Sequence, residues 1–293
     1  MRWSGLDETN TTRLLMTPRR QSIRINPLSN DQTDLSPHAT PVSWCSNGYS
    51  PLDSAADMLT ELALSGKLYI QNAASWLPVL ALDPQPNDII LDVCAAPGGK
   101  ASHIQAITNN QSNLTCNDNS KPRLMKLRTN MQRLGAEASY TLCDATRLAN
   151  KFLPGTFSKI LLDAPCSGEG LMTLRHEDEK LFDTWSVAHI RRLSDLQKNI
   201  ICKSWKLLQP GGTLVYSTCT MAPEENEAVI DYFLRKHTDA KLEPVTIPLE
   251  NRLEALRSWN GKPFQSDLSS CLRLLPSQLT EAFFVAKLIK PEV

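Results

Sequence analysis

A chain of 293 residues exceeds one minimal domain and suits one large α/β domain plus a small extension. A 41% hydrophobic content fills a real core and excludes global disorder, and a formal net charge of +0 excludes bulk electrostatic attraction to nucleic acid. A polyanion would have to be held by local patches: Arg13, Arg19, Arg20 and Arg24, or the run Lys121, Arg123, Lys126, Arg128 and Arg133, both also readable as solvated surface.

The first residues lack the apolar segment of a signal peptide, and no apolar run approaches a membrane span. Eight cysteines, none in a C-x-x-C pair, argue against a zinc site and for reduced thiols in a cytoplasmic protein. Residues 1 to about 50 are polar and weakly periodic, which predicts a loosely built extension with one short strand at 22–25. Residues 53–64 read as a helix, 68–70 as a strand and 73–82 as a helix. A regular alternation follows. Strands are expected at 89–93, 114–118, 140–143, 159–162 and 213–216, and helices at 99–107, 120–134, 187–208 and 223–234. Ser120 is the expected N-cap and Gly135 the stop of the second of these helices. Pro210-Gly211-Gly212 ends the third, and Pro223 opens the fourth with Glu224, Glu225 and Glu227 near its positive end. Residues 282–288 make a last strand. The pattern predicts a Rossmann-like, doubly wound α/β sheet with a small N-terminal extension.

In such a sheet ligands bind at the carboxyl ends of the strands, near the switch in strand order. The loop Cys94-Ala95-Ala96-Pro97-Gly98-Gly99-Lys100 leaves the first strand of the alternation and opens a helix. Its glycines let the backbone approach a ligand, and the helix N-terminus suits a carboxylate. Its spacing matches neither a Walker loop nor a dinucleotide fingerprint. Asp118 ends the next strand, roughly twenty residues on, where an acidic side chain meets ribose hydroxyls. Asp92, Asp118, Asp144 and Asp163 recur in phase at strand ends. Any one alone is as readable as a turn or cap residue. Together they suit a ligand with a ribose and a charged amino-acid end, S-adenosyl-L-methionine.

Two cysteines leave core strands and enter polar turns: Cys166 in Asp163-Ala164-Pro165-Cys166, and Cys219 in Ser217-Thr218-Cys219-Thr220. A thiolate is the strongest side-chain nucleophile near neutral pH. Added to carbon 6 of cytosine, it makes carbon 5 enamine-like and able to attack a methyl sulfonium; a base then removes the carbon-5 proton and the thiol is eliminated. Asp163 lies near enough in sequence to hold or protonate the ring nitrogen. The other cysteines read as buried packing residues, with Cys94 contributing mainly backbone. This chemistry alone does not rank the two thiols.

The segments DVCAAPGGK (92–100), DAPCSGEG (163–170) and STCTMAPEENEAV (217–229), with Arg24-Ile25-Asn26 and the lead-in at 68–75, resemble the RsmB/Nop/Sun family of RNA cytosine-5 methyltransferases. Residues 19–24, with Ser43-Trp44-Cys45, are most similar to its bacterial RsmF-type 16S ribosomal RNA enzymes. The resemblance implies an RNA-binding cap over residues 1–72 and a catalytic domain over 73–293. It implies that residues 94–100 cradle the methionine part of the cofactor, that Asp118 binds its ribose and Asp144 its adenine region, and that Asp163 faces cofactor and cytosine together. It makes Cys219 the nucleophile and Cys166 the aid to proton removal or release, although DNA cytosine-5 methyltransferases use the Pro-Cys position. Ser277, Ala282 and residues 171–176 depart from the family pattern at the RNA-facing rim or the closing strand, and the chain stops where RsmF-type proteins continue. The implied partner is ribosomal RNA or a small-subunit particle, with tRNA the alternative and no membrane or metal. A methyltransferase-like assembly factor that binds RNA without methylating it is the competing reading.

Overall fold

The computed structural model describes residues 20–29, 34–35, 37–172 and 185–292. The apolar runs pair into a nine-stranded sheet whose centre is parallel. In it lie β5 (Ile89–Asp92), β6 (Asn113–Asp118), β7 (Ser139–Leu142), β8 (Phe157–Asp163) and β9 (Leu208–Thr218), in the order β7-β6-β5-β8-β9. The chain moves outward from β5 to β7, then returns to β8 on the other side of β5. The order therefore switches between β5 and β8, which aims the 94–100 loop and Asp163 at one crevice. A closing strand, β15 (Phe283–Ile289), lies antiparallel on β9, with Phe284 opposite Thr218. Beyond β15 come β10 (Lys241–Glu243), β14 (Leu272–Leu274) and β11 (Arg252–Leu253), and β12 (Ser258–Trp259) pairs with β13 (Lys262–Pro263) outside the sheet.

Successive strand side chains point to opposite faces, and the core divides accordingly. Leu91, Ile160, Leu162, Leu214, Tyr216 and Phe284 pack on one face with α6 (Val187–Leu207) and α7 (Glu227–Lys236). Ile90, Leu161, Val215 and Val285 pack on the other with α2 (Leu77–Leu82), α3 (Gly99–Thr108) and α4 (Lys121–Arg133). This is why the central strands read as unbroken apolar runs. Among the described residues no helix is long and apolar enough to cross a membrane.

The structure departs from the sequence expectations at five places. The N-terminal segment carries a four-stranded antiparallel sheet in the order β2 (Ala39–Pro41), β3 (Gly48–Pro51), β1 (Ile23–Ile25) and β4 (Leu68–Ile70); β1 and β4 lie where strands are expected, and β2 and β3 are additional. It encloses a small core of Ile23, Leu35, Leu59 and Leu68, with Leu59 on α1 (Ala56–Leu64). Arg24 is buried, its guanidinium donating to the Gly99 carbonyl (3.3 Å) and Ser102 Oγ (2.9 Å), so it is a clamp on α3 and not part of a basic surface. Arg13 and Arg19 lie outside the described residues. Ser120 occupies the N-cap position of α4 without a side-chain cap bond; Asp118 Oδ1 accepts its N–H instead. Gly135, at φ +63°, does stop that helix. Helix α6 ends at Leu207, and Pro210-Gly211-Gly212 lies inside β9, where Gly211 and Gly212 exchange backbone hydrogen bonds with Lys290. Residues 223–226 form a turn, so α7 begins at Glu227 and only that glutamate lies in its first turn.

Glu225 and Glu227 are both fully buried, not solvated at a helix end. Glu227 takes a bidentate ion pair from Arg273 on β14 (2.9 and 2.7 Å), and Arg273 also donates to the Met221 carbonyl. Removing one partner leaves an uncompensated buried charge. Arg273→Ala is expected to cost about 3–5 kcal/mol in urea unfolding, and Glu227→Met with Arg273→Met to recover most of it. A loss under 1 kcal/mol for the single variant would show that water reaches the pair.

Candidate active site

The crevice is built by three strand ends. β5 delivers the 94–100 loop, where Gly98 adopts φ +106° and Gly99 starts α3. A side chain at Gly99 would strike Gln71 Nε2 at 2.8 Å and Tyr69 at 2.9 Å, so the loop lies tight against the lead-in from β4. β8 delivers Asp163 and the Pro165-Cys166 turn, and β9 delivers Ser217 and Cys219. Their parallel register sets Asp163 beside Ser217.

The structure brings the two sequence-picked thiols together: Cys166 Sγ and Cys219 Sγ are 3.4 Å apart, both free and half-buried. Asp163 accepts from Lys100 Nζ (2.7 Å) through one oxygen and from Ser217 Oγ (2.7 Å) through the other. Burial alone would lower the Lys100 pKa, but the Asp163 carboxylate outweighs it and keeps the ammonium charged. Lys100 also lies over the Phe283 ring.

Asp92 is the feature that asks for a ligand. It is 1% exposed, and its carboxylate oxygens lack well-formed hydrogen bonds, with only the Cys94 N–H facing them. Burial, and then Asp163, raises its pKa to about 7. A buried carboxylate so weakly partnered is costly, so a bound group offering positive charge or further N–H and O–H donors fits here. Asp118, buried at the end of β6, keeps Oδ1 on the Ser120 N–H and Oδ2 at 3.4 Å from Arg123. Arg123 also donates to the Ala96 carbonyl, which removes it from the free basic run. Cys94 gives the crevice only backbone; its thiol packs against the core and burial pushes its pKa up. Asp144 stands apart at the outer edge. It is exposed, its Oδ1 caps Thr146, and those two Thr146 hydrogen bonds lower its pKa.

Residues outside the motif centres hold the cysteine turns. Gln197 Nε2 donates to the Pro165 carbonyl and to Glu225 Oε2, which also accepts the Ser167 N–H (3.0 Å). Tyr216 Oη donates to the Glu225 carbonyl. On the other turn, Thr218 Oγ1 donates to Asn226 Oδ1, and Asn226 Nδ2 donates to the Thr220 carbonyl. Glu169 Oε2 accepts from Thr220 Oγ1 and the Met221 N–H. Asn117 Nδ2 ties the Val93 and Cys143 carbonyls, joining three strand ends. Gln197 and Asn117 carry no sequence signal, because their partners are distant in the chain. Glu225 and Asn226 sit inside a recognised segment and read there as helix residues.

The Cys166 hydrogen bond, then burial and the charges of Cys166, Glu281 and Asp163, hold the Cys219 thiol protonated well above the ordinary thiol range. Its thiolate fraction therefore rises throughout the neutral range. Alkylation of Cys219 by iodoacetamide, followed on its tryptic peptide, is expected to quicken about tenfold per pH unit from pH 7 to 9. A plateau below pH 8 would mean that the thiolate is already formed.

Comparison with known proteins places this arrangement. The family profile described as 16S rRNA methyltransferase RsmB/F matches residues 79–289. A tRNA (cytosine(49)-C(5))-methyltransferase of Pyrococcus abyssi is 36% identical over 99% of this chain and 94% of its own length. Ribosomal RNA small subunit methyltransferase F of Aeromonas salmonicida is 40% identical over 76% of this chain and 49% of its own, so the chain spans about half of that relative. A solved methyltransferase homologue from Pyrococcus horikoshii superposes with TM-score 0.79 at 31% identity, covering 96% of this chain and 89% of that one.

Proposed function

The chain belongs to the 16S rRNA methyltransferase RsmB/F family, and we propose from that premise that it methylates carbon 5 of a cytosine in RNA, with 16S ribosomal RNA as the first substrate. The observation that carries the reading is the 3.4 Å approach of Cys166 and Cys219 beside the Lys100–Asp163–Ser217 chain. A small-molecule methyltransferase has no need of that thiol pair.

The crevice suits S-adenosyl-L-methionine. Residues 94–100 would hold its methionine part, Asp118 its ribose hydroxyls and Asp144, through the oxygen not given to Thr146, its adenine side. The weakly partnered oxygens of Asp92 fit a cationic ligand. When bound, that cofactor supplies an electrophilic methyl group on a sulfonium. The target base must leave its stack to enter the crevice, which favours looped or single-stranded RNA.

In this reading Cys219, having lost its proton to solvent, adds as thiolate to carbon 6, forming an S–C bond; the C5–C6 pair shifts to a C4–C5 double bond as the ring nitrogen takes up a proton. That proton would come from the Lys100 ammonium, relayed through the Asp163 carboxylate that Lys100 and Ser217 hold, and would return the same way. After methylation a base removes the carbon-5 proton, the C5–C6 double bond re-forms and Cys219 leaves as thiolate. Cys166 is positioned to assist that departure.

A second reading, tRNA as substrate, is supported by the 36% identity to the P. abyssi tRNA enzyme along nearly the whole chain. The test is transfer of labelled methyl groups to unmodified 16S ribosomal RNA, small-subunit particles and tRNA. Label recovered as 5-methylcytidine from the ribosomal pools supports the first reading, and from tRNA the second. Cofactor binding without label in any pool leaves the assembly-factor reading.

A further inference from the structure

A basic groove lies on the outer side of α6, away from the crevice. In a chain with as many acids as bases, α6 carries Arg191, Arg192, Lys198, Lys203 and Lys206 against Asp195 alone. Arg191, Asp195, Lys198, Cys202 and Lys206 recur every three or four residues and so share one face. Between this face and α7 is a cavity of about 390 Å³, to which Lys203, Lys206 and, from α7, Lys236 contribute. Among the described residues no carboxylate lies within ion-pair distance of these three lysines.

The floor is aromatic. The Tyr232 ring has Lys198 from α6 and Lys236 from α7 each 5.8 Å from its centroid. His237 Nε2 is buried there without a hydrogen-bond partner. Both helices end at the groove, and their C-terminal dipoles together amount to about one negative charge. Asp195, paired with Lys198, and Asp239, beside His237, add two negative charges, and with the dipoles they offset only part of the cluster of Lys198, Lys203, Lys206 and Lys236.

The groove and the active site share helix α6. Gln197, which holds the Pro165 carbonyl next to Cys166, precedes Lys198 directly on α6. From Gln197 to Lys206 the helix rises about 14 Å. We propose that this groove binds the phosphodiester backbone of the RNA substrate beyond the flipped cytosine and so anchors the strand while the base is in the crevice. The proposal rests on the reading of RNA as substrate. Lysines without carboxylate partners lining a groove match a phosphodiester backbone. An acidic protein segment is the rival occupant.

The test compares wild type with Lys203→Gln/Lys206→Gln/Lys236→Gln, which keeps side-chain length and leaves every crevice residue intact. The logarithmic salt dependence of binding to labelled ribosomal RNA, read by anisotropy, should fall in slope by about two to three in the variant. KM for methylation of that RNA should rise about tenfold or more at unchanged kcat. KM for a fragment trimmed to the nucleotides flanking the target cytosine should not change. A variant with the wild-type salt slope overturns the groove, as does an equal loss on the trimmed fragment. If wild type binds RNA but methylates none, the functional reading fails while the salt slope still decides the groove. Matching thermal unfolding of the two proteins excludes misfolding as the cause.

Discussion

Cys219→Ala is expected to abolish methyl transfer, with turnover falling about 10,000-fold or more. Without a sulfur on carbon 6, carbon 5 of cytosine does not become nucleophilic enough to accept a methyl group. No other residue is expected to replace it. Cys166 is only 3.4 Å away, but it sits on the β8 turn, whose position is fixed through Gln197 and Glu225. For its sulfur to take the place of Cys219 that turn would have to move, breaking the hydrogen bonds that hold it. The fold should survive, because Cys219 is half-buried and its turn is anchored by Thr218, Thr220 and Asn226 and not by the thiol. The check is single-turnover methyl transfer beside thermal unfolding. Activity within tenfold of wild type, or a covalent RNA adduct in the alanine variant, would assign the nucleophile to Cys166 instead.

The parts of this site that were legible in the sequence are those fixed by local order. A strand followed by a small-residue turn places a ligand loop, and a cysteine directly after a core strand is placed by the strand itself, so Cys94 to Lys100, Asp118, Asp163, Cys166 and Cys219 all lie at carboxyl ends of the sheet. What was not legible depends on partners far along the chain. Arg24 reads as a surface cation until Gly99 and Ser102 close over it, 75 and 78 residues away. Glu227 reads as a helix-end acid until Arg273 reaches it from β14. Two strands of the N-terminal sheet, β2 and β3, are not legible for the same reason: they have three and four residues, too few for periodicity to register, and they pair across loops. Pro210-Gly211-Gly212 carries a helix-stop signature, yet β9 keeps it because the Lys290 backbone completes the ladder. In each case tertiary pairing overrides a local preference worth about 1 kcal/mol or less.

Cys166→Ala is expected to act in the opposite sense at two steps. When Cys219 donates to Cys166, the proton is held on the nucleophile, and this hydrogen bond is the largest cause of the raised Cys219 pKa. Removing the acceptor lowers that pKa, so attack on carbon 6 should be at least as fast as in wild type near neutral pH. Release is different. In the proposed reaction the departing Cys219 thiolate loses the neighbour 3.4 Å away that is proposed to assist proton removal or release. Loss of such assistance slows a step by about 100-fold to 10,000-fold. The variant should therefore transfer close to one methyl group per enzyme and then stall, leaving an RNA–protein band that survives denaturing electrophoresis and carries the labelled methyl. The band should appear faster at pH 7 than any adduct of wild type, and it should vanish in the Cys166→Ala/Cys219→Ala double variant. Multiple turnovers without an adduct would remove Cys166 from the release step, and a band that persists in the double variant would show that the RNA is attached to a third residue.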